Sequence, residues 1–437
     1  MELRYGVNPE QRATASLGEA GSAMKLLAGQ PSYINVLDAL NSWQLVREAS
    51  LSLSLPVATS FKHVSPAGAA VAGELDHVMR DTWDVDAESL TPAASACVRA
   101  RDCDPKSSFG DFVAVSEPVD ASLAAVLSKV VSDGIIAPGF ESGTVEVLSA
   151  KKGGRYVVFE ARTDYEPPEW EHREVFGVRL AQEARRLAIT AEVVAASASS
   201  PLPDKAAADL VLAMVTARHT QSNSVTYARA GIVLGVGAGQ QSRIDCTRVA
   251  GKKVDIWWLR RHDRVRSLTF KPSVRRQERI NWQIRYIEGD MDPIKHARFL
   301  ETLEVRPEAL TADERSSWLA QLDDVSLASD GYVPFRDNID QAALHGVRYL
   351  ARPGGSTRND EVEAAAVEHA IEIVNTGIWL FHHGTHRRRG RLARSAPGRS
   401  TISPRSQPDY RGCAPDRQRP SGRTSALPAR SGSCTDP

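Results

Sequence analysis

VATSFKHVSPAG, from Val57 to Gly68, joins a short apolar run to a polar pair and then to Ser-Pro. The β-branched and apolar residues at its start predict a buried strand. Serine is a common helix N-cap and proline is favoured at the first helical position, so Ser65 and Pro66 predict the start of a helix. Lys62 and His63 would then lie between a strand end and a helix start, where ligands bind in open α/β sheets.

Lys62 and His63 are an unusual pair for a simple turn, because adjacent cationic side chains repel each other when both are charged. The positive end of the predicted helix and the ammonium of Lys62 would each favour the neutral imidazole of His63. A neutral imidazole can act as a general base, and a fixed ammonium can stabilise an oxyanion. An exposed loop pair without a role in chemistry is the alternative that this segment alone leaves open.

Helical and strand patterns alternate along residues 1–383, which predicts an α/β fold. The stretch INVLDALNSWQLVREAS has helical spacing, with Asn35 as a candidate cap. Further on, DFVAVSEPVD predicts a strand ahead of Asp120, which would cap the helix ASLAAVLSKV. In the same way YVPFRDNID predicts a strand, with Asp340 as the cap of QAALHGV.

Each of these two units is followed by an apolar strand that runs into Pro-Gly, GIIAPG ending at Gly139 and VRYLARPG ending at Gly354. This repeated pattern suggests two diverged copies of one α/β unit. We therefore predict a first lobe at 1–170 and a second lobe at 171–383. The second lobe would contain a helical insertion at about 272–325, whose TADE motif is a capping-box pattern.

The 437 residues are 42% hydrophobic and 25% charged, as is usual for a globular protein with two or three domains. The first residues lack the basic start and apolar core of a signal peptide, and no apolar run reaches the roughly 18–20 residues of a membrane helix. Five scattered cysteines without a CxxC pair predict a reducing, cytosolic location. The 11 histidines show no HExxH or related pattern, so we expect no catalytic zinc.

Residues 384–437 differ in composition from the rest of the chain, with 12 Arg, no Lys or Glu, 3 Asp and 7 of the 24 prolines. Their formal charge of +9 and their lack of periodic apolar residues predict a disordered tail. A nucleic-acid-binding or regulatory arm is one interpretation. The other, which we favour, is an appendage without selected function, such as a read-through or frame-shifted end.

Two further segments have both a structural and a functional interpretation. VLGVGAGQQSR carries three alternating glycines, Gly235, Gly237 and Gly239, after an apolar strand, but Gln240 stands where the dinucleotide-binding fingerprint needs its last glycine. TQSNSV places Asn223 just after the predicted helix DKAAADLVLAMVTARH. A turn at the end of that helix is the structural interpretation of Asn223.

Several segments, in order and at near-family spacing, resemble one known family: LRYGVNPEQ, INVLDALNSWQLV, SFKHVSPAGAAV, SSFGDFVA, VSDGIIAPG, TQSNSV, GVGAGQQSRIDCTR, PFRDNID and LFHH. They are similar to the transformylase domain of the bifunctional purine biosynthesis proteins. That family joins 5-aminoimidazole-4-carboxamide ribonucleotide (AICAR) formyltransferase to IMP cyclohydrolase. The resemblance covers about 1–383 and is closer to the eukaryotic-type form. It implies two cytidine-deaminase-like α/β lobes without zinc, and a homodimer with active sites across the interface.

The resemblance implies transfer of a formyl group from 10-formyltetrahydrofolate to the 5-amino group of AICAR, giving FAICAR in de novo purine (IMP) biosynthesis. In the family pattern the histidine of the Lys-His pair shuttles the proton and the lysine stabilises the transition state. In this chain these residues are His63 and Lys62. Asn223 would hold the carboxamide near His63. We expect AICAR and folate as ligands, no catalytic metal, and neither a membrane nor a nucleic acid as a partner.

The family's nucleotide contacts carry over, residue by residue, to positions along the whole first 383 residues. They are Arg4, Tyr5, Gly110, Asp133, Asn223, Arg243 and Phe335. Arg4 and Tyr5 would meet the phosphate. The positions that the family associates with folate are matched by Ile244 and Asp340.

Two departures from the family pattern bear on activity. Family members commonly carry arginine where this chain has Trp379, and losing a charged phosphate contact costs roughly 1.5–3 kcal/mol. The family's cyclohydrolase domain would precede Leu3, so we expect no ring closure to IMP from this chain. An inactive, truncated nucleotide-binding remnant is the main alternative, which Trp379 and the tail favour. A nucleic-acid-binding protein that uses the basic tail is the second.

Overall fold

The computed structural model describes residues 1–16, 23–86, 89–355 and 358–384, and it confirms the predicted α/β class. The strands are β1 (Glu2–Leu3), β2 (Ala13–Thr14), β3 (Met24–Ala28), β4 (Val57–Lys62), β5 (Ser65–Val71), β6 (Asp111–Val115), β7 (Ser132–Ala137), β8 (Val157–Ala161), β9 (Trp170–Val175), β10 (Val178–Glu183), β11 (Ser224–Arg229), β12 (Ile232–Ala238), β13 (Val325–Ser329), β14 (Val347–Arg352) and β15 (Glu372–Asn375). The predicted tail lies outside the described residues, apart from Gly384.

Helices follow most of these strands along the chain. They are α1 (Tyr33–Leu53), α2 (His77–Trp83), α3 (Pro92–Asp102), α4 (Ala121–Ser128), α5 (Thr144–Ser149), α6 (Ala191–Ala196), α7 (Asp204–Arg218), α8 (Arg243–Leu259), α9 (Asp263–Arg266), α10 (Arg276–Glu288), α11 (Pro293–Glu301), α12 (Ala312–Leu319), α13 (Asp337–Ala343) and α14 (Asn359–Glu368). No helix within the described ranges is long and apolar enough to cross a membrane.

Eleven strands form one mixed sheet in the order β15-β14-β13-β11-β12-β5-β4-β6-β7-β8-β3. Strands from both predicted lobes therefore share a single sheet, and they meet where Ile232 of β12 pairs with Ala70 of β5. The lobe boundary near residue 170 stays a prediction. The segment predicted as a helical insertion holds α10, α11 and α12.

Helices cover both faces of the sheet, because its central strands are apolar on both sides. On one face α1 and α7 pack against the sheet through buried side chains such as Leu45 and Leu212. On the other face α3, α8 and α13 share a second core that includes Val98 and Val254. A third, smaller cluster around Trp282 and Phe299 belongs to the helices of the insertion.

The predicted helix at Ser65-Pro66 is wrong, because this segment is strand β5 and pairs antiparallel with β4. Pro66 is tolerated there because the register shifts between Ser60 and Phe61, and proline in a sheet is confined to such irregular or terminal positions. A Cβ on Gly68 would lie 2.4 Å from the Ala100 carbonyl oxygen, so α3 sits directly on this strand. That long-range packing outweighs the local helix signal.

Two predicted caps are also wrong. Helix α1 is capped by Ser32, and Asn35 is instead the third helical residue, whose side chain completes a capping box with Ser32. Asp340 lies inside α13, where Arg336 one turn before it pairs with its carboxylate. The stretch from Tyr332 to Arg336 forms no strand, because the neighbouring strand of the sheet is the earlier segment β13.

Other local predictions are confirmed. Asp120 caps α4 by accepting the Leu123 N–H at 2.8 Å. Thr311 and Glu314 form the reciprocal capping box of α12. The strands ahead of Gly139 and Gly354 are β7 and β14.

The glycines of VLGVGAG serve packing between β12 and α8. A Cβ on Gly235 would lie 2.3 Å from the carbonyl oxygen of Ala250, and one on Gly237 would lie 2.1 Å from that of Cys246. Both distances are far inside van der Waals contact, so any side chain would push the helix off the strand. Close helix packing therefore explains this glycine pattern without a dinucleotide.

Candidate active site at one edge of the sheet

The strand directions bring the predicted site residues to a single edge of the sheet. Strand β4 ends at Lys62 on this edge, and β6, which is antiparallel to it, begins there next to Gly110. Strand β7 is parallel to β6, so Asp133 near its start lies on the same edge. On the other side of β4, the pairings of β5, β12 and β11 place the start of β11, next to Asn223, on this edge as well.

Lys62 and His63 form the tip of the β4–β5 hairpin. His63 and Val64 both have positive φ angles, 54° and 63°, as in the two-residue turns that suit the twist of a hairpin. The Lys62 ammonium donates to the carbonyl oxygen of Phe109 at 2.5 Å, which ties the tip to the segment before β6. His63 is exposed at the tip, so its imidazole is accessible to a ligand.

A pocket of about 240 Å³ lies on the same edge, beside the start of β7. Its lining residues are Arg4, Asn35, Asp133, Lys152 and Arg155. Three of these carry a positive charge, and the ammonium of Lys152 pairs with the carboxylate of Asp133. Such a cluster suits an anion with several oxygens, such as a phosphate. The phenol of Tyr5 accepts a hydrogen bond from Arg4 at 3.1 Å, so Tyr5 borders this pocket.

Lys152, Arg155 and Asn35 were not among the predicted site residues. The signal for the first two is the basic run KKGGR, which starts one residue before Lys152. In the sequence, this run reads as an exposed turn after a helix. Only the fold brings it beside Arg4, which lies about 150 residues earlier in the chain.

Buried acidic groups lie beneath the hairpin. Asp111 is fully buried and pairs with the buried Arg101, and burial raises the pKa of its carboxyl group. Asp38 of α1 is 5% exposed and accepts the Val64 N–H at 2.6 Å. Burial, together with the charges of Asp133 and Asp111, raises the pKa of Asp38 to about 7.

A second group surrounds Asn223, three strands away along the edge. The guanidinium of Arg243, at the start of α8, pairs with the buried Asp330 and donates to the Asn223 side-chain oxygen at 2.9 Å. The Asn223 amide nitrogen in turn donates to the carbonyl oxygens of Gln240 and Gln241, at 3.0 and 3.1 Å. Arg243 is 9% exposed, so its charge is directed into the protein and its visible role is to orient Asn223.

The segment LFHH lies against this second group. The Ser222 N–H donates to the His382 carbonyl oxygen at 2.9 Å, and the His382 N–H donates to the Ser222 hydroxyl at 3.0 Å. Burial lowers the pKa of His382 to about 4, so its imidazole is neutral at physiological pH. A neutral histidine thus lies directly beside the turn that carries Asn223.

Trp379 belongs to a chain of aromatic rings near the same edge. Its ring meets Tyr332 edge-on at a centroid distance of 4.3 Å and Phe381 at 5.2 Å, and Phe381 in turn stacks with His383. The indole therefore packs as an aromatic group. Position 379 therefore carries no positive charge, as the sequence indicates.

The remaining predicted contacts lie on α8, on α13 or just before α13. These helices touch near the site, where the Thr247 hydroxyl lies 3.2 Å from the Asn338 side-chain oxygen. Ile244 is half-buried one turn before Thr247, and Phe335, which precedes α13, is exposed with the Arg358 guanidinium 5.0 Å from its ring. The carboxylate of Asp340 is shared by Arg336 and His369. Within the described ranges, no group of His, Cys, Asp and Glu side chains has a metal-binding arrangement.

The two groups are separated along the edge. From Lys62 on β4 to Asn223 before β11 there are three strand steps, or about 14 Å at the usual strand spacing. The first group offers a base, an ammonium and an anion pocket. The second offers an oriented carboxamide beside a neutral histidine.

Comparison with known proteins identifies the family. Residues 1–253 match the family model described as the AICARFT/IMPCHase bienzyme. The chain is 30% identical over 386 residues to the bifunctional purine biosynthesis protein PurH of Roseobacter denitrificans, covering 87% of this chain and 59% of that protein. It is 27% identical over 384 residues to PurH of Elusimicrobium minutum, covering 87% of this chain and 58% of the relative.

PurH of Cereibacter sphaeroides is similar to the same extent, with 30% identity over 390 residues. The chain thus spans somewhat under two thirds of the length of the curated relatives that it matches. The resemblance inferred from the sequence motifs is confirmed, because the family model covers more than half of the chain. This chain belongs to the AICARFT/IMPCHase bienzyme family.

Proposed function

We propose that this protein is an AICAR formyltransferase of purine biosynthesis, which uses 10-formyltetrahydrofolate as its co-substrate. The observation that carries the proposal is the hairpin tip with Lys62 and His63, which shares one sheet edge with a three-cation pocket. The membership of the family supports the same reaction. The product expected from these residues is FAICAR.

The pocket next to the hairpin suits the phosphate end of AICAR. Arg4, Lys152 and Arg155 would neutralise the phosphate charge, and arginine can bind two phosphate oxygens at once. Asp133 lines this pocket, and Gly110 comes directly before β6, the strand between β7 and the hairpin. Asp133 and the backbone at Gly110 would form hydrogen bonds with the ribose hydroxyls. The base of the nucleotide would then extend toward His63.

In the proposed reaction the 5-amino nitrogen of AICAR attacks the formyl carbon of the folate. The imidazole of His63 takes a proton from the attacking amine, and the ammonium of Lys62 stabilises the negative oxygen of the tetrahedral intermediate. The bond between the formyl carbon and the folate N10 then breaks, and N10 receives the proton. The amine of AICAR is weakly nucleophilic because its lone pair is delocalised, so both groups are needed.

Asn223 would bind the carboxamide of AICAR, in line with its fixed orientation by Arg243. Ile244 and Asp340, near the contact of α8 and α13, would meet the folate. The pairing of Asp340 with Arg336 and His369 leaves its carboxylate half-exposed, which is compatible with a hydrogen bond to a pterin.

We further propose a homodimer in which each site combines the hairpin group of one copy with the Asn223 group of the other. The separation of about 14 Å between the two groups supports this arrangement. So does the β9–β10 hairpin, a two-stranded sheet apart from the main one, because isolated hairpins are marginally stable in water. Its exposed apolar residues are Trp170, Val175, Phe176, Val178 and Leu180.

The middle of strand β9 lies by the second group, where the Arg173 guanidinium donates to the His383 carbonyl oxygen at 2.6 Å. A partner that covers the hairpin would therefore also approach the site. We also propose a cytosolic location. The free thiols of Cys97, Cys103 and Cys246 are buried, as in proteins of reducing compartments.

The direct test incubates the purified chain with AICAR and 10-formyltetrahydrofolate and follows tetrahydrofolate and FAICAR together. Equal amounts of both products are expected. A chain that binds AICAR without turnover would instead be the nucleotide-binding remnant, which the replacement of a cation by Trp379 favours. In that case the Trp379→Arg variant distinguishes a lost phosphate contact from a lost catalytic group. Turnover should return in this variant if the phosphate contact was lost, and should stay absent if a catalytic group was lost.

A further inference from the structure

The turn that carries His63 has a backbone conformation that its residues disfavour. His63 and Val64 both lie in the left-handed region, with φ angles of 54° and 63°. Glycine, asparagine and aspartate dominate such turns, and a β-branched residue such as valine is a clear exception. Something outside the turn must therefore stabilise this conformation.

Asp38 is the group that meets the turn from below. It lies on α1, where the Ser32–Asn35 capping box fixes the helix start, and its carboxylate accepts the Val64 N–H at 2.6 Å. The His63 N–H also stabilises the ionised form of this carboxylate. The side chain of Asp38 therefore holds the turn directly through the amide of Val64.

We propose that Asp38 is a positioning residue that holds the His63–Val64 turn and so aims the imidazole of His63. The inference rests on the proposed formyl transfer for its kinetic readout, although the turn itself can be observed without any substrate. It concerns a residue that makes no predicted contact with either substrate.

The surroundings of Asp38 support a specific role over general packing. The side chain is 5% exposed, and the charged or titratable groups on the elements around it are Lys62, His63, Arg101, Asp111 and Asp133. Two of these are acids that oppose its ionisation, and burial does the same. Burying a carboxyl group among other acids destabilises the fold, and its hydrogen bonding to the turn offsets this cost.

The experiment compares Asp38→Ala and Asp38→Asn with Ser42→Ala as a matched control. Ser42 is fully buried on the same helix, and its hydroxyl donates within the helix, to the Ala39 carbonyl oxygen at 3.0 Å. The asparagine oxygen can still accept the Val64 N–H, whereas alanine cannot. The readouts are kcat and KM for AICAR, and hydrogen exchange of the backbone amides of residues 61–66.

We expect Asp38→Ala to lower kcat by about 10- to 100-fold, as misplacement by about 1 Å does, with KM for AICAR changed less than about threefold. Exchange at residues 61–66 should become faster in the same variant. Asp38→Asn and Ser42→Ala should keep kcat within about threefold of the wild type. If Asp38→Asn loses as much kcat as Asp38→Ala, the charge matters and the positioning role is overturned.

A second variant covers the case in which Asp38→Ala folds poorly. Val64→Gly removes the steric cost of the left-handed conformation, so it should recover part of the lost kcat when combined with Asp38→Ala. No recovery in a folded double variant would count against the inference. A wild type without formyl transfer, but with faster exchange in Asp38→Ala, would reject the proposed function and leave the role of Asp38 intact. An active wild type in which Asp38→Ala alters neither exchange nor kcat would reject the role of Asp38 alone.

Discussion

The guanidinium of Arg243 donates to the side-chain oxygen of Asn223 at 2.9 Å while it pairs with the carboxylate of Asp330. Asp330 is fully buried and also accepts from the Ser222 hydroxyl at 2.5 Å and the Ser224 N–H at 2.9 Å. One buried ion pair therefore holds both sides of the residue proposed to bind the carboxamide. Arg243 serves the site through this arrangement, which its sequence position alone does not reveal.

Arg243→Ala should lower the free energy of unfolding by about 3–5 kcal/mol, because it leaves the buried carboxylate of Asp330 without a partner. Urea denaturation measures the change. The control is Arg248→Ala on the same helix, whose exposed pair with Asp245 at 3.6 Å should contribute less than about 1 kcal/mol. Equal effects of the two substitutions would show that the Arg243–Asp330 pair is not a structural element.

His63→Ala should lower kcat by about 10²–10⁴-fold, since a positioned general base contributes that much. Lys62→Ala should lower it by about 10²–10³-fold, in line with the loss of one oxyanion-stabilising donor. The chain offers a matched control in Lys295-His296, a second Lys-His pair, which lies exposed on α11. Alanine at Lys295 and His296 should leave turnover unchanged. Turnover at wild-type levels in both site variants would remove the proposed mechanism.

Local patterns in the sequence predicted the parts of the fold that local chemistry decides. Strand β4 and the caps at Asp120 and Thr311 follow from side chains within a few residues of each other. The hairpin at the site was not predicted, because Ser-Pro after a strand suits a helix start equally well. The close packing of α3 against Gly68 favours a strand at this position, and it joins segments about 30 residues apart in the sequence.

The same limit applies to the site. Lys62 and His63 are adjacent in sequence, so their pairing is visible without a structure. Lys152 and Arg155 join Arg4 only through the order of strands in the sheet, and Asp38 reaches the hairpin across 26 residues. For these side chains the sequence shows the residue type but not its neighbours.

The stability of the protein should depend on pH through Asp38. Its pKa is raised from 3.8 to about 7 on folding, so the folded protein holds this proton more tightly than the unfolded chain. The stabilisation that results is fully present below pH 3.8 and is lost as pH rises through 7. Asp38→Asn removes this titration. The difference in unfolding free energy, variant minus wild type, should therefore increase between pH 4 and pH 8, by at most about 4 kcal/mol.

Urea denaturation of both proteins at pH 5 and pH 8 measures this gain. Ser42→Ala carries no titratable group, so its difference from the wild type should be the same at both pH values. A difference between Asp38→Asn and the wild type that does not change with pH would contradict the raised pKa.

Lys152→Ala and Arg155→Ala should each raise KM for AICAR by about 10-fold or more, because each removes one charged contact of roughly 1.5–3 kcal/mol. Since the phosphate lies away from the reacting amine, kcat should change little. Lys271→Ala is a suitable control, because this lysine is exposed and donates to the Glu301 carbonyl oxygen in the helical insertion. A fall in kcat without a change in KM would place these residues outside the phosphate pocket.

Phe176→Asp should convert the proposed homodimer into a monomer. Phe176 is fully exposed at the tip of the β9–β10 hairpin, at 105% of its reference area, and a charge there would oppose burial against a second copy. Sedimentation of the two proteins at micromolar concentration measures the change, and formyl transfer should fall with the loss of the dimer. Val367→Asp is the control, since Val367 is also apolar and is 80% exposed, on helix α14 of the main fold. A monomeric wild type with full activity would contradict the shared site. A single chain would then have to use both groups in one reaction, although they lie about 14 Å apart.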